Sequence, residues 1–304
     1  MRSPVKGTFS ICAADPATGE AGCAVQSRYF AVGAVVPWAK AGVGAVATQA
    51  AGVAAYGPEV LALLEQGLPP GEALERALAD DPERGTRQLG VVTADGRSAS
   101  HTGSECLAWA GHRTGPGYAV QGNILAGEAV VVEMERAFLE TTSVLADRLV
   151  SSLEAGQAAG GDSRGQQSAA IVVERAGAAA ESRERIDRIC ELRVEDHEAP
   201  IAELRRLLGI HMVWDALRRA SAFHAPDRYA EGAALLRNEV ARQGENAVLL
   251  YDLACMESLA GETEPALEHI VRSLELDPGL RSGAAADSDF AAIRDDPRFQ
   301  ALLS

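Results

Sequence analysis

Gly7-Thr8-Phe9-Ser10-Ile11-Cys12-Ala13 runs through Ala14 into Asp15-Pro16-Ala17-Thr18-Gly19-Glu20, and then, past Ala21, into Gly22-Cys23-Ala24-Val25. The first segment is apolar and β-prone, the second is a cluster of turn formers, and the third resumes the apolar run. Two short apolar runs around a Pro/Gly turn predict an N-terminal β-hairpin. Outward from it, strands are expected at Gly33–Val36, Gly42–Thr48, Gln88–Thr93 and Ser98–His101, with Ala94-Asp95-Gly96 turning between the last two. Pro58–Gln66 and Gly71–Ala79 read as helices, Val60, Leu61, Leu63 and Leu64 falling at helical spacing. One long helix is expected from Glu128 to Glu154, with Phe138, Thr142, Leu145, Leu149 and Leu153 on one face and Gly156 as its stop. A Gly-rich loop, Gly160 to Gly165, then leads to a strand at Ser168–Val173 and a charged strand at Ile189–Val194. This order is not a strict β-α-β alternation, so it predicts an α+β layered fold with mainly antiparallel sheets.

The chain has 304 residues, 47% of them apolar, enough for two domains. We place the boundary after Leu208, giving a body over 1–208 and a helical region over 209–304. Aromatics make up 5%, which argues for a core of small and β-branched residues and against stacking platforms for bases. A formal charge of −15 disfavours phosphate neutralisation, so neither nucleic acid nor an anionic membrane is an expected partner. The five cysteines are scattered, without metal-ligand spacing, and read as reduced and mostly buried. No export signal or spanning run is visible. The expected setting is the cytoplasm, with no metal and no cofactor.

Past Pro200 the pattern is helical. Ala202–Ser221 forms one amphipathic helix, and His224-Ala225-Pro226-Asp227 breaks it. Ala247–Pro278 then resembles a tetratricopeptide unit, a 34-residue helix pair with small residues at the helix contact. Ala254, Ala266 and Pro278 are evenly spaced, Gly261 lies in the turn, and Leu276-Asp277-Pro278 ends the unit. Tyr229–Arg242 reads as half of an earlier repeat. The alternative is a pair of generic amphipathic helices. So short an array suits packing or dimerisation better than a long peptide groove, although binding of a protein partner through this tail stays open.

A Thr at the mouth of the first strand is what an N-terminal-nucleophile hydrolase needs. Its hydroxyl attacks a carbonyl, and its own α-amine, with a pKa of about 8, is the base. Thr8 is either that nucleophile or a plain β-branched strand residue. Ser27 and Arg28, at the end of the second hairpin strand, come back towards Thr8; Arg28 is a candidate electrostatic partner of the nucleophile or of a substrate carboxylate. Asn123 after Gly122 is a candidate oxyanion donor. Thr48 and Gln49 end an apolar strand and are candidates to line the pocket. In the Gly160 loop, Asp162 and Arg164 offer a charge pair and Gln167 and Ser168 a polar strand entrance, so this is a candidate substrate loop; it lacks the phosphate-loop pattern. Asp196-His197 suits an ordered linker better than a metal or base pair.

Thr8-Phe9-Ser10-Ile11, Thr18-Gly19-Glu20, Ala24 to Arg28, Val36-Pro37-Trp38-Ala39, Gly42 to Gln49 and Tyr56-Gly57-Pro58 resemble a bacterial family, as do Gly122-Asn123, Gly160 to Ala170 and Arg193 to His197. The family is domain of unknown function 1028, classed as similar to the N-terminal-nucleophile (Ntn) hydrolases. The resemblance spans about Gly7–Leu208. It implies a four-layer αββα sandwich, hydrolysis of an amide C–N bond, and Thr8 as nucleophile once self-cleavage at Gly7–Thr8 removes residues 1–7. The expected partner is then a small-molecule amide, and the expected assembly a homodimer. The alternative functions are a non-catalytic metabolite-binding sandwich and a protein-interaction scaffold.

Overall fold

The computed structural model describes residues 7–181, 185–225 and 228–303. Residues 1–6 of the expected leader, and Pro226 and Asp227 of the expected helix break, lie outside them. Packing divides the chain into two units, Met1–Leu208 and Gly209–Ser304.

Among the described residues the first unit holds ten strands: β1 (Thr8–Asp15), β2 (Glu20–Ser27), β3 (Pro37–Lys40), β4 (Gly44–Ala50), β5 (Arg87–Thr93), β6 (Ser98–Thr102), β7 (Gly111–Gly115), β8 (Tyr118–Asn123), β9 (Ser168–Arg175) and β10 (Arg188–Val194). They form a six-stranded sheet, β10-β9-β2-β1-β8-β7, and a four-stranded sheet, β3-β4-β5-β6. Every pairing is antiparallel. The hairpin forms where the turn formers predict it. Asp15 O accepts the Gly19 amide at 2.9 Å, and Gly19 takes φ 75°, a conformation that costs a glycine little.

The helices of this unit are α1 (Tyr56–Glu65), α2 (Pro70–Ala77), α3 (Ala129–Glu140), α4 (Leu145–Ala158) and the short α5 (Ala178–Glu181); α6 (Pro200–Ser221) carries the chain across the unit boundary. α4 packs on β1, β2 and β9, and α3 on β7 and β8. α1 and α2 pack on the four-stranded sheet, whose β4 and β5 meet β1, β2 and β8 of the other sheet. Period-two alternation divides β1 accordingly. Phe9 points at α4, within reach of Gly156, while Cys12 joins Val25, Ala45, Ala47 and Val92 between the sheets.

Three expectations need correction. The long helix is two helices, α3 and α4, folded against each other. One helix over that range would run ~40 Å and could not keep its apolar stripe on one sheet. The break falls at Thr141, whose hydroxyl closes on Ala137 O at 2.7 Å. Gly156 does not stop α4 but lies inside it, where its missing side chain leaves room for Met134 and Phe9. Gly33–Val36 is not a strand: Val32–Ala34 is a 3₁₀ turn pinned by Val32 N on Ser168 Oγ, and the strand starts at Pro37.

The second unit is helical: α7 (Tyr229–Gln243), α8 (Ala247–Leu259), α9 (Thr263–Leu276), α10 (Arg281–Ala286) and α11 (Pro297–Leu303). Asn246 caps α8 by accepting the amides of Val248 and Leu249. Ala254 and Ala266 are fully buried together with Leu267, Ile270 and Phe290. No helix among the described residues is long and apolar enough to cross a membrane.

Candidate functional site

Thr8 opens β1 between two neighbours, opposite Ser27 of β2 on one side and Asn123 of β8 on the other. Directly paired residues share a face of the sheet, so all three side chains point at the four-stranded sheet. Thr8 is 1% exposed, and its Oγ1 lies 3.0 Å from Ser27 Oγ. Ser27 Oγ donates to the carbonyl oxygen of Gly7 at 2.5 Å. That oxygen also receives Arg164 Nη2 at 2.9 Å. Ser27 has a single proton and Gly7 takes it, so Thr8 is the donor in the Thr8–Ser27 pair.

The Gly160 loop supplies the rest. Asp162 is 2% exposed and binds Arg164 in a fork: Oδ1 accepts Nε at 3.1 Å and Oδ2 accepts Nη2 at 2.8 Å. Its carboxylate also accepts the backbone amides of Arg164 and Arg28. A bidentate guanidinium–carboxylate pair fixes the planes of both groups, which aims Arg164 at Gly7. Arg28 braces the loop from outside, donating Nη1 to Arg164 O at 3.0 Å; its side chain is exposed, and among the described residues no hydrogen bond joins it to Thr8.

Gln49 reaches across the sheets, with Nε2 on Thr8 O at 3.4 Å and on Gln88 Oε1 at 2.9 Å. Thr48, its neighbour, faces the other way and ties down Val53 O at 3.1 Å. Strand alternation therefore admits one of the two to the site. Asn123 is aimed at the four-stranded sheet, and one of the two N–H groups of its Nδ2 donates to Gln88 Oε1 at 2.9 Å. The orientation of Gln88 is set by backbone acceptors, Gly111 O and Gly122 O, so among the described residues Asn123 Oδ1 is the end left without a hydrogen bond. Gln167 turns away to Asp196, and Ser168 holds the Tyr29–Val32 turn.

Sequence reasoning missed Ser10, Gln88 and Gln121, which form a buried polar layer beneath Thr8. Ser10 Oγ donates to Gln49 Oε1 and accepts Gln121 Nε2, both at 2.6 Å. Gly90 makes room for the Gln121 amide, which a side chain there would strike. The alternation of Thr8, Ser10 and Cys12 with Phe9 and Ile11 carried the signal; strand β8 was not expected at all. Burial, with Cys23 adjacent, pushes the Cys12 thiol up, so the thiol on this face stays protonated.

The DUF1028 family model, described as a family of unknown function, matches residues 8–204. The chain belongs to the DUF1028 family. Within DUF1028, protein SPO2555 from Silicibacter pomeroyi has a crystal structure similar to this chain, with a TM-score of 0.60 at 31% identity over 66% of this chain and 88% of that one. No curated protein matches. The matched span contains Thr8, Ser27, Asp162 and Arg164 and begins just after Gly7. A separate cleft of about 190 Å³ in the same unit is lined by Trp38, Arg188, Glu191 and Arg193 and does not include Thr8. In the helical unit, Cys255, Asp287 and Asp289 bring three metal-type donor atoms within 4.8 Å of one another; Tyr251 and Cys255 already hydrogen-bond Asp287 Oδ2.

Proposed function

We propose that this chain is an amide hydrolase of the N-terminal-nucleophile type, built on a four-layer αββα sandwich. In this reading Thr8 is freed by cleavage of the Gly7–Thr8 bond and then attacks a small amide. The observation that carries it is the Gly7 carbonyl, held by Ser27 Oγ and Arg164 Nη2 beside the Thr8 hydroxyl. Two donors on a peptide oxygen, one of them cationic, are what stabilises the charge of a tetrahedral intermediate.

The cleavage balances as follows. Thr8 Oγ1 bonds to the Gly7 carbonyl carbon, closing a five-membered ring, and its proton passes to Ser27 as the Ser27 proton passes to the carbonyl oxygen. The C–N bond then breaks, the Thr8 nitrogen takes a proton back from that oxygen, and an ester remains. Water hydrolyses the ester, leaving a carboxylate on Gly7 and a free amine on Thr8. That amine, with a pKa of about 8, then serves as general base for the Thr8 hydroxyl in turnover. Thr8 is 1% exposed in the uncut chain, so an external substrate reaches it after Gly7 has left. The same burial favours a second reading, a metabolite-binding sandwich that is never cut. For the second unit, the buried Ala254 and Ala266 contact supports a tetratricopeptide-like pairing of α8 and α9.

Incubating purified protein and following intact mass and the N-terminal residue tests the proposal. A species starting at Thr8 is expected to accumulate, and Thr8→Ala is expected to stay uncut and inactive. Amidase activity that persists in Thr8→Ala, or in a chain that remains uncut, overturns it.

A further inference from the structure

We infer that the site takes amides whose acyl part is glycyl, with no L side chain on the carbon next to the reacting carbonyl. The inference rests on Thr8 being the nucleophile.

Gly7 occupies the place an acyl group must take. A Cβ built on it would lie 2.7 Å from both Asp162 carboxylate oxygens and 2.8 Å from Arg164 Nη2. Side chains can often give way, but these two are anchored. Asp162 Oδ1 accepts Arg164 N at 2.9 Å and Nε at 3.1 Å, and Oδ2 accepts Arg28 N at 3.1 Å and Arg164 Nη2 at 2.8 Å. The Asp162 backbone is bridged to Leu125. Arg164 cannot retreat without cost either, because the nitrogen that blocks the Cβ position is the one that binds the Gly7 carbonyl oxygen. Admitting a side chain therefore removes a donor from the oxygen where charge develops. One guanidinium both activates the carbonyl and excludes substitution beside it.

The argument carries from self-cleavage to an external substrate because the geometry of attack is common to both. The same nucleophilic oxygen and the same donors define where the carbonyl carbon and oxygen must sit. The carbon attached to them then falls where the Gly7 Cα lies, against Asp162. The class of substrate is an acylglycyl or peptidyl-glycyl amide, cut on the carbonyl side of the glycine.

Two measurements test this. Gly7→Ala is compared with wild type for the rate of self-cleavage by intact mass, with thermal melts run alongside to establish that both fold. Cleavage roughly tenfold or more slower in the variant is expected. Matured wild-type protein, which has lost residue 7, is then offered the p-nitrophenyl esters of N-acetylglycine and N-acetyl-L-alanine, and acylation of Thr8 is followed by mass. The glycine ester is expected to acylate about tenfold faster or more, after correction for spontaneous hydrolysis. Equal rates for the two esters, or equal self-cleavage of Gly7→Ala and wild type, overturn the inference while leaving the nucleophile in place. A wild-type chain that is never cut overturns the nucleophile and the inference together.

Discussion

The hydroxyl oxygens of Thr8 and Ser27 lie 3.0 Å apart because β1 and β2 pair residue for residue from the turn upward, which sets the first residue of one strand against the last of the other. Each strand is eight residues long, with this contact at one end and the turn that creates it at the other. The hairpin thus brings together at its open end two side chains that its turn end fixes in register. Arg164 and Asp162 then close over that open end from a distant part of the chain.

Ser27→Ala removes the proton path and one of the two donors on Gly7 O. The expected result is cleavage at Gly7–Thr8 slowed about 10²-fold or more, with the melting temperature close to wild type. A time course of intact mass reads it. Wild-type rates in Ser27→Ala would mean that the Ser27 hydroxyl does not take part.

Gln49→Leu leaves the Ser10 hydroxyl without its acceptor and strips a donor from Gln88 Oε1, both fully buried between the sheets. A buried polar group stripped of its partner costs about 1–3 kcal/mol. Denaturant unfolding should show a lower midpoint at unchanged slope.

Tyr56 hydrogen-bonds Asp81 at 2.6 Å, and burial followed by that carboxylate pushes its phenol up to about 12. Tyr118, buried and bonded to Glu135, is likewise held at about 12. Both shifts are upward, so their contribution to stability is intact below the ordinary phenol value of 10.0 and is lost as pH rises through about 12. Ultraviolet titration should show both ionising late, together with alkaline unfolding. Tyr56→Phe removes one of the two ionisations that drive that unfolding, so the stability lost between about pH 10 and pH 12 should be smaller in the variant.

Asp252 is raised to about 6 by burial and by the charges of Asp287 and Asp289. A carboxyl raised in the folded state favours folding while protonated, below its ordinary 3.8, and that contribution disappears as pH climbs through about 6. Asp252→Asn should raise the melting temperature at about pH 7, and the gain should vanish at about pH 4, as calorimetry at the two values would show.

The hairpin and the turn at Ala94-Asp95-Gly96 were legible because their signals are local: turn residues flanked by apolar runs. Asp162 and Arg164 were legible as a charge pair two residues apart. The split of the Glu128–Glu154 stretch into α3 and α4 was not, because both halves keep helical periodicity and the chain reverses to stay on the sheet. Thr48 and Gln49 were read together, yet alternation sends one to Val53 and the other to Thr8. Asn123 was read as a donor, and a buried glutamine from another strand, invisible to local sequence, takes one of its two N–H groups.

By itself the sequence determined the hairpin that returns Ser27 and Arg28 towards Thr8, since a short turn between two apolar runs joins neighbouring strands; the register that sets Ser27 opposite Thr8 came from the structure. It also determined the helical character of the last hundred or so residues, through composition and period. Only the tertiary structure decided that Arg164, 157 positions away, lands on the Gly7 carbonyl, and that Asp162 fills the space beside it. Contacts of that range depend on how the sheets and α4 pack as a whole, and no local run of residues encodes a distance across that packing.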